Sequence, residues 1–143
     1  MRDNISASPE RPILLVEDDV VDQMTVRRAL KDILVSSRLE VANDGEEALD
    51  YLKTGKKSRP SIILLDINMP RMSGIEFLQI IKKDEELRTI PVVVLTTSRE
   101  DSDRIETFKL GVAGYIIKPV DYKQFVETLK TIHLYWMLSE LPG

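Results

Sequence analysis

Short apolar runs alternate with longer amphipathic stretches along this chain. Three of the runs are continuously apolar, which is typical of strands that are covered on both faces of a sheet. One of the others is more polar and predicts a weaker strand. The predicted strands are Ile13 to Val16, Leu39 to Ala42, Ile62 to Leu65, Val92 to Leu95 and Tyr115 to Ile117.

The stretches between these runs carry apolar residues at helical spacing. Strand and helix patterns alternate five times, which predicts an α/β fold, a doubly wound five-stranded parallel sheet with five helices. Crossover connections in such a sheet are right-handed. The residues at helical spacing are Val26, Ala29, Leu30 and Ile33; Ile75, Leu78 and Ile81; Ile105, Phe108 and Val112; and Phe125, Leu129, Ile132 and Trp136.

Several helix boundaries can be predicted from single residues. Asp44, Ser73 and Asp121 each precede a Glu or Gln by three residues, which is the spacing of a capping box. Gly111 stands where a helix-ending glycine is expected.

Length and composition indicate one domain and exclude several kinds of protein. We expect residues 1–10 to be a flexible lead-in and residues 11–143 to form a single domain with a C-terminal helix and a short tail. The chain has no cysteine, a net charge of -4 and no basic run, so disulfides, thiol chemistry and nucleic-acid binding are not expected. The chain has no signal peptide and no membrane-spanning apolar stretch, so we expect a cytoplasmic protein without membrane contact.

Charged and hydroxyl residues stand at the ends of four predicted strands. Glu17 and Asp18 follow the first strand, Asp66 follows the third, Thr96 ends the fourth and Lys118 ends the fifth. In an open α/β sheet, ligands bind beyond the carboxyl ends of the strands. We therefore expect these side chains to meet in one crevice.

The residue types in this crevice predict phosphoryl chemistry. Clustered carboxylates raise one another's pKa unless a cation is present, and hard oxygen ligands without histidine or cysteine suit Mg²⁺. A carboxylate such as Asp66 can attack phosphorus and form an aspartyl-phosphate. Lys118 and Thr96 could then neutralise and orient the phosphoryl oxygens. Taken singly, each of these residues would be ordinary, and we interpret Asp19 and Asp44 as helix caps only.

Four segments resemble the signature segments of bacterial response-regulator receiver domains: ILLVED, LLDINMPRMSG, PVVVLTTS and GYIIKP. The resemblance covers about Pro12 to Ile132, which is nearly the whole chain. It implies a flavodoxin-like sheet of strand order 2-1-3-4-5, as in the chemotaxis regulator. It also implies a stand-alone receiver, because few residues follow Trp136.

The resemblance implies a role for each crevice residue. Asp66 would be the phosphoacceptor for a sensor histidine kinase and would bind Mg²⁺ with Asp18 as the closer ligand. Glu17 would bind the metal through water, and Asn68 would contribute its backbone carbonyl. By this resemblance the chain is a self-phosphorylating signalling domain and not an enzyme.

The resemblance also implies a conformational switch. Thr96 would bond a phosphoryl oxygen and Lys118 would pair with the phosphoryl group. Tyr115 matches the aromatic residue that turns inward when Thr96 moves. A cis bond between Lys118 and Pro119 is implied as well. One departure is Thr97, since the family often has alanine there, and a bulkier residue bears on access to the site.

The C-terminal end resembles stand-alone regulators that work with bacterial phytochromes. The implied partners are a sensor histidine kinase, such as a bacterial phytochrome, or a histidine phosphotransfer protein. We further expect a symmetric homodimer through the fourth and fifth strand-helix units, with the tail around Trp136.

Two functions of other classes were weighed. A phosphatase of the haloacid-dehalogenase type would also use Asp66 as nucleophile, but it needs a second Asp two residues later, where this chain has Asn68. A flavin-binding module needs a phosphate loop after the first strand. Here Glu17, Asp18 and Asp19 would repel a phosphate.

Overall fold

The structure is a computed structural model that describes residues 11–35, 37–54, 59–118 and 121–138, without the side chains of 135–138. Four of our expectations therefore lie outside the described residues. They concern the segment 1–10, the tail after residue 138, the side chain of Trp136 and the bond between Lys118 and Pro119.

Ten elements alternate along the chain as the hydrophobic pattern predicts. The five strands are parallel and lie in the order β2-β1-β3-β4-β5, which confirms the flavodoxin-like fold. The elements are β1 (Ile13–Val16), α1 (Val20–Asp32), β2 (Leu39–Ala42), α2 (Gly45–Lys53), β3 (Ile62–Leu65), α3 (Gly74–Lys82), β4 (Val92–Thr96), α4 (Asp101–Lys109), β5 (Gly114–Ile117) and α5 (Tyr122–Leu138).

The core has one apolar cluster on each face of the sheet. Successive residues of a strand point to opposite faces, so Leu14 packs in one cluster and Leu15 in the other. The first cluster is completed by α2 and α3, with Phe77 at its centre. The second is completed by α1 and α5, with Val26 and Phe125 among its buried residues. This burial on both faces explains why the central strands are continuously apolar.

The predicted capping boxes form only in part. At Ser73 the box is complete, because the Ser73 hydroxyl accepts the N–H of Glu76 and the Glu76 carboxylate accepts the N–H of Ser73. Asp44 caps α2 by accepting the N–H of Glu47, but the Glu47 carboxylate accepts the N–H of Asn43 instead. The spacing therefore predicts the start of a helix better than it predicts the reciprocal bond.

The pattern around α4 differs from the expectation. The helix ends at Lys109 and Gly111 follows with a φ of 86°, as a helix-ending glycine should. Ile105 and Phe108, however, are half exposed, and the one buried residue of α4 is Thr107. Apolar spacing over so short a helix does not decide which face is buried.

Within the described residues, no helix has the length and apolar character needed to span a membrane.

Candidate functional site

The sheet register brings the predicted residues to one edge. Val16 pairs with Leu65, so Glu17 and Asp66 follow neighbouring strands at the same level. The N–H of Asp66 donates to the carbonyl of Val16 at 3.0 Å, which continues the ladder by one bond. Thr96 is the last residue of β4 rather than the residue after it. The N–H of Lys118 donates to the carbonyl of Thr96 at 2.6 Å.

Three carboxylates form a compact cluster at this edge. Oxygens of Glu17, Asp18 and Asp66 lie within 4.8 Å of one another. Glu17 and Asp66 are buried, whereas Asp18 is exposed. These are hard oxygen donors, and neither histidine nor cysteine belongs to the cluster. Such a donor set fits Mg²⁺ or a similar divalent cation.

Burial makes the negative charge of this cluster costly. Burial, helped by the negative charge of Asp66, raises the pKa of Glu17 to about 7, and the hydrogen bond from Lys118 opposes this shift. Burial likewise raises the pKa of Asp66, against the opposing effect of the N–H of Asn68 and the charge of Lys118. Because burial disfavours the ionised form of both carboxylates, a bound cation would stabilise their negative charges.

Lys118 binds two carboxylates, and one of them was not foreseen. Its ammonium donates to Glu17 at 2.8 Å and to Asp22 at 2.7 Å. Among the described residues it makes no ion pair with Asp66. Burial alone would lower the pKa of Lys118, but the hydrogen bonds to Asp22 and Glu17 raise it above the ordinary value.

Asp22 could have been found from its position. It lies four residues after Asp18 and in the first turn of α1. One turn of helix brings such a residue back towards the edge from which the helix starts. We overlooked it because first-turn acids are common in helices for reasons of the helix dipole.

Thr96 is buried, and its hydroxyl is already hydrogen-bonded. Its Oγ1 accepts the side-chain amide of Asn68 at 3.3 Å and the N–H of Ser98 at 3.2 Å. The family resemblance implied only a backbone role for Asn68. The structure shows that the Asn68 side chain spans the crevice from the loop after β3 to the end of β4, while its N–H donates to Asp66 at 3.2 Å.

Tyr115 connects β5 to the loop that follows Thr96. Its hydroxyl donates to the carbonyl of Ser98 at 3.1 Å. Its ring lies 6.5 Å from the ring of Phe108 and packs against the first core cluster. Since Ser98 also bonds Thr96, a contiguous set of contacts joins Thr96 to Tyr115. Movement along this set stays a prediction.

Thr97 follows Thr96 directly in the sequence. It is exposed and lines a cavity of about 220 Å³ together with Asp22, Lys118 and the apolar residue Phe125. The bulk of Thr97 therefore adjoins Lys118. Its effect on access to Asp66 stays a prediction.

The loop after Asp66 is held in place by steric contact. A Cβ atom on Gly74 would lie 2.5 Å from both the carbonyl oxygen of Asp66 and the Cα of Ile67, so only glycine fits. In the same loop, Arg71 has a φ of 65° and pairs with Asp44 at 3.1 Å. The backbone that carries Asp66 thus has little freedom to shift.

Comparison with known proteins identifies the family. The model of the response regulator receiver domain matches residues 13–130. The chain belongs to this family. The resemblance drawn from the four sequence segments is thereby confirmed.

Two curated relatives of this receiver domain are similar over nearly their whole length. One is the probable methanogenesis regulatory protein FilR2 of Methanothrix harundinacea, 41% identical over 92% of this chain and 87% of its own. The other is the response regulator Rcp1 of Synechocystis, 36% identical over 92% of both chains.

Two solved structures are similar to this receiver domain in both fold and sequence. The phosphorylated cyanobacterial phytochrome response regulator RcpA has a TM-score of 0.85 and 37% identity, over 94% of this chain and 99% of its own. The Mn²⁺-bound form of Rcp1 has a TM-score of 0.83 and 36% identity, over 93% and 99%. The likeness to phytochrome-associated regulators that the C-terminal end suggested is thus confirmed across the chain.

Proposed function

We propose that Asp66 accepts a phosphoryl group from the phosphohistidine of a sensor histidine kinase and that the chain transmits the signal by a change of shape. The observation that carries this proposal is the convergence of Asp66 with two further carboxylates, a lysine and a buried hydroxyl at one sheet edge. A carboxylate oxygen of Asp66 attacks phosphorus. The phosphorus–nitrogen bond breaks, and its electron pair stays on the imidazole nitrogen.

The residues present fit a magnesium ion. Asp18 and Asp66 would bind it directly, Glu17 through water, and Asn68 through its backbone carbonyl. When bound, Mg²⁺ neutralises carboxylate charge and polarises the phosphoryl oxygens. The compact cluster of oxygens and the raised pKa of Glu17 support such a site, as does the Mn²⁺-bound form of the relative Rcp1.

Phosphorylation would shift Thr96 and Tyr115. The Thr96 hydroxyl, which accepts hydrogen bonds from Asn68 and Ser98, would donate its proton to a phosphoryl oxygen, and Lys118 would pair with another oxygen. Hydrogen bonds to charged groups contribute about 1.5–3 kcal/mol each. Inverting a two-state population from 1:99 to 99:1 takes about 5.5 kcal/mol. Two such bonds approach this value before the bonds that Lys118 gives up to Glu17 and Asp22 are subtracted, and a backbone N–H to the phosphoryl group would add to it.

The partner proposed for this domain is a sensor histidine kinase in the cytoplasm. RcpA is a phytochrome response regulator, so a bacterial phytochrome is the first kinase to test. FilR2, however, is named as a probable methanogenesis regulatory protein and not as a phytochrome regulator, so the kinase of this chain must be identified by experiment. The alternative partner is a histidine phosphotransfer protein, which would accept the phosphoryl group from Asp66.

The exposed face of α4 supports a homodimer. Ile105 is 51% exposed and Phe108 is 49% exposed on this helix, next to β5. Burying both in a symmetric contact through the fourth and fifth units would stabilise a dimer. We expect light scattering to show a dimer in wild type and a monomer in Ile105→Glu. A wild type that stays monomeric with and without beryllofluoride contradicts the dimer.

The phosphoacceptor proposal is tested by intact mass. With Mg²⁺ and acetyl phosphate, wild type should gain one acid-labile phosphoryl group and Asp66→Asn should gain none. Asp44→Asn is the matched control, because Asp44 is also buried but lies outside the carboxylate cluster. Equal labelling of Asp66→Asn and wild type would refute the proposal. Steady release of phosphate from a phosphomonoester would favour the phosphatase alternative instead.

A further inference from the structure

Lys118 has a partner that plays no part in the carboxylate cluster. Asp22 receives a hydrogen bond from the ammonium at 2.7 Å, slightly shorter than the 2.8 Å bond to Glu17. The cluster that fits a metal contains Glu17, Asp18 and Asp66, but not Asp22. Among the described residues, the ion pair with Lys118 is the contact that links Asp22 to the site.

The ammonium of Lys118 has limited bonding capacity. It carries three protons, and Glu17 and Asp22 take two of them. The Lys118 side chain is only 14% exposed, so water supplies little compensation for a lost partner. Moving the ammonium to a phosphoryl group on Asp66 therefore competes with the bonds it already makes.

We propose that Asp22 is a positioning residue that holds Lys118 on the α1 side of the crevice and competes with phosphorylated Asp66 for its ammonium. Asp22 thereby sets how strongly the phosphoryl group must attract the Lys118 ammonium before Lys118 changes partner. This inference rests on the proposed function of Asp66 as phosphoacceptor.

The surroundings of Asp22 allow it to release the Lys118 ammonium. Its N–H donates to the Asp19 carboxylate that caps α1, at 3.1 Å, so the helix start holds the backbone of Asp22 in place. Its own side chain is 37% exposed and can be hydrated once Lys118 leaves. A cavity of about 220 Å³ lies beside Asp22 and Lys118, so water can reach the Asp22 carboxylate from that side.

The first test needs no metal and no phosphoryl donor. In NMR relaxation measurements on ¹³C-labelled lysine, Asp22→Asn should make the Lys118 side chain more mobile than in wild type, since one of the two hydrogen bonds that hold its ammonium is lost. Asp19→Asn is the matched control, because it removes the same charge nearby and asparagine is an equally good N-cap. A Lys118 side chain that is equally mobile in all three proteins overturns the proposal.

The second test measures binding of beryllofluoride, a phosphoryl mimic, at saturating Mg²⁺. Asp22→Asn should bind it about three- to tenfold more tightly than Asp19→Asn does, a range set by the cost of one partly exposed charged hydrogen bond. Asp22→Glu should restore near wild-type affinity. Mg²⁺ alone should bind Asp22→Asn more weakly, because the freed lysine approaches Asp66. A destabilised fold would instead weaken the binding of both ligands.

The outcomes separate this inference from the function on which it rests. If wild type binds beryllofluoride and Asp22→Asn binds it equally or less tightly than Asp19→Asn, the competition is refuted and the phosphoacceptor stands. If wild type and Asp66→Asn both fail to bind beryllofluoride, the proposed function fails, and the competition fails with it.

Discussion

The helices α3 and α4 have nine residues each and follow the strands that lead to Asp66 and Thr96, yet they pack against the core very differently. Helix α3 buries Phe77, Leu78 and Ile81 completely and begins with a full capping box. Helix α4 buries only Thr107, and its N-cap residue makes no side-chain hydrogen bond.

This difference assigns different roles to the two units. The unit of β3 and α3 holds the proposed acceptor Asp66 in place, because its helix is packed in the core and its loop admits only glycine at position 74. The unit of β4 and α4 carries Thr96 but has few buried apolar contacts on its helix, which is typical of segments that open or shift easily. A firmly held Asp66 beside a weakly packed neighbouring unit is the arrangement that the proposed phosphorylation switch requires.

The same substitution in the two helices should separate them most clearly. Phe77→Ala should lower the free energy of unfolding by about 3–5 kcal/mol, since it leaves a cavity in the core. Phe108→Ala should lower it by about 1 kcal/mol or less, because the ring is half exposed. Urea denaturation followed by circular dichroism measures both. Equal losses would mean that α4 is as firmly packed as α3.

The steric constraint on the acceptor loop gives the next largest effect. Gly74→Ala should cost about 2–3 kcal/mol, because the new Cβ meets backbone atoms at 2.5 Å. Gly114→Ala in β5 is the matched control, since its Cβ would meet Val93 at an ordinary 3.7 Å. We expect that control to change unfolding by only a few tenths of a kcal/mol. An equally small effect of Gly74→Ala would show that the loop after Asp66 is not fixed.

The charged crevice lies outside both helices and should respond to pH. The pKa of Glu17 is raised from 4.5 to about 7 in the folded chain, so its contribution to stability is complete below about pH 4.5 and is lost as pH rises to about 7. Asp66 shifts in the same direction. The free energy of unfolding of the metal-free protein should fall by on the order of 2 kcal/mol over this pH range. Glu17→Gln should remove most of that loss in urea denaturation series with EDTA, and a flat wild-type profile would contradict the shift.

The smallest effect comes from giving α4 the cap that it lacks. Glu100 is the N-cap residue of α4 and makes no side-chain hydrogen bond to the helix. Glu100→Ser should stabilise the chain by about 0.5–1 kcal/mol, and hydrogen exchange of the α4 amides should slow. Ser73→Ala in α3 should have the opposite sign and a similar size. If neither substitution changes amide exchange, capping does not account for the contrast between the helices.

Local pattern was sufficient for the fold and for most residues of the crevice. Strands covered on both faces must be apolar throughout, so β1, β3 and β4 can be recognised in the sequence. Parallel strands present their carboxyl ends at one edge, so residues that follow them in the sequence meet there in space. Glu17, Asp66 and Lys118 were therefore predictable as neighbours.

The partners within the crevice were decided by the tertiary structure. Lys118 pairs with Asp22, which is 96 residues away in the sequence, and the Asn68 side chain bonds Thr96 across the crevice. A long lysine side chain near several carboxylates takes the partners that best balance burial against charge, and that balance depends on the whole surrounding structure. For the same reason the exposed face of α4 could not be read from its spacing, because burial is a property of what packs against a helix and not of the helix alone.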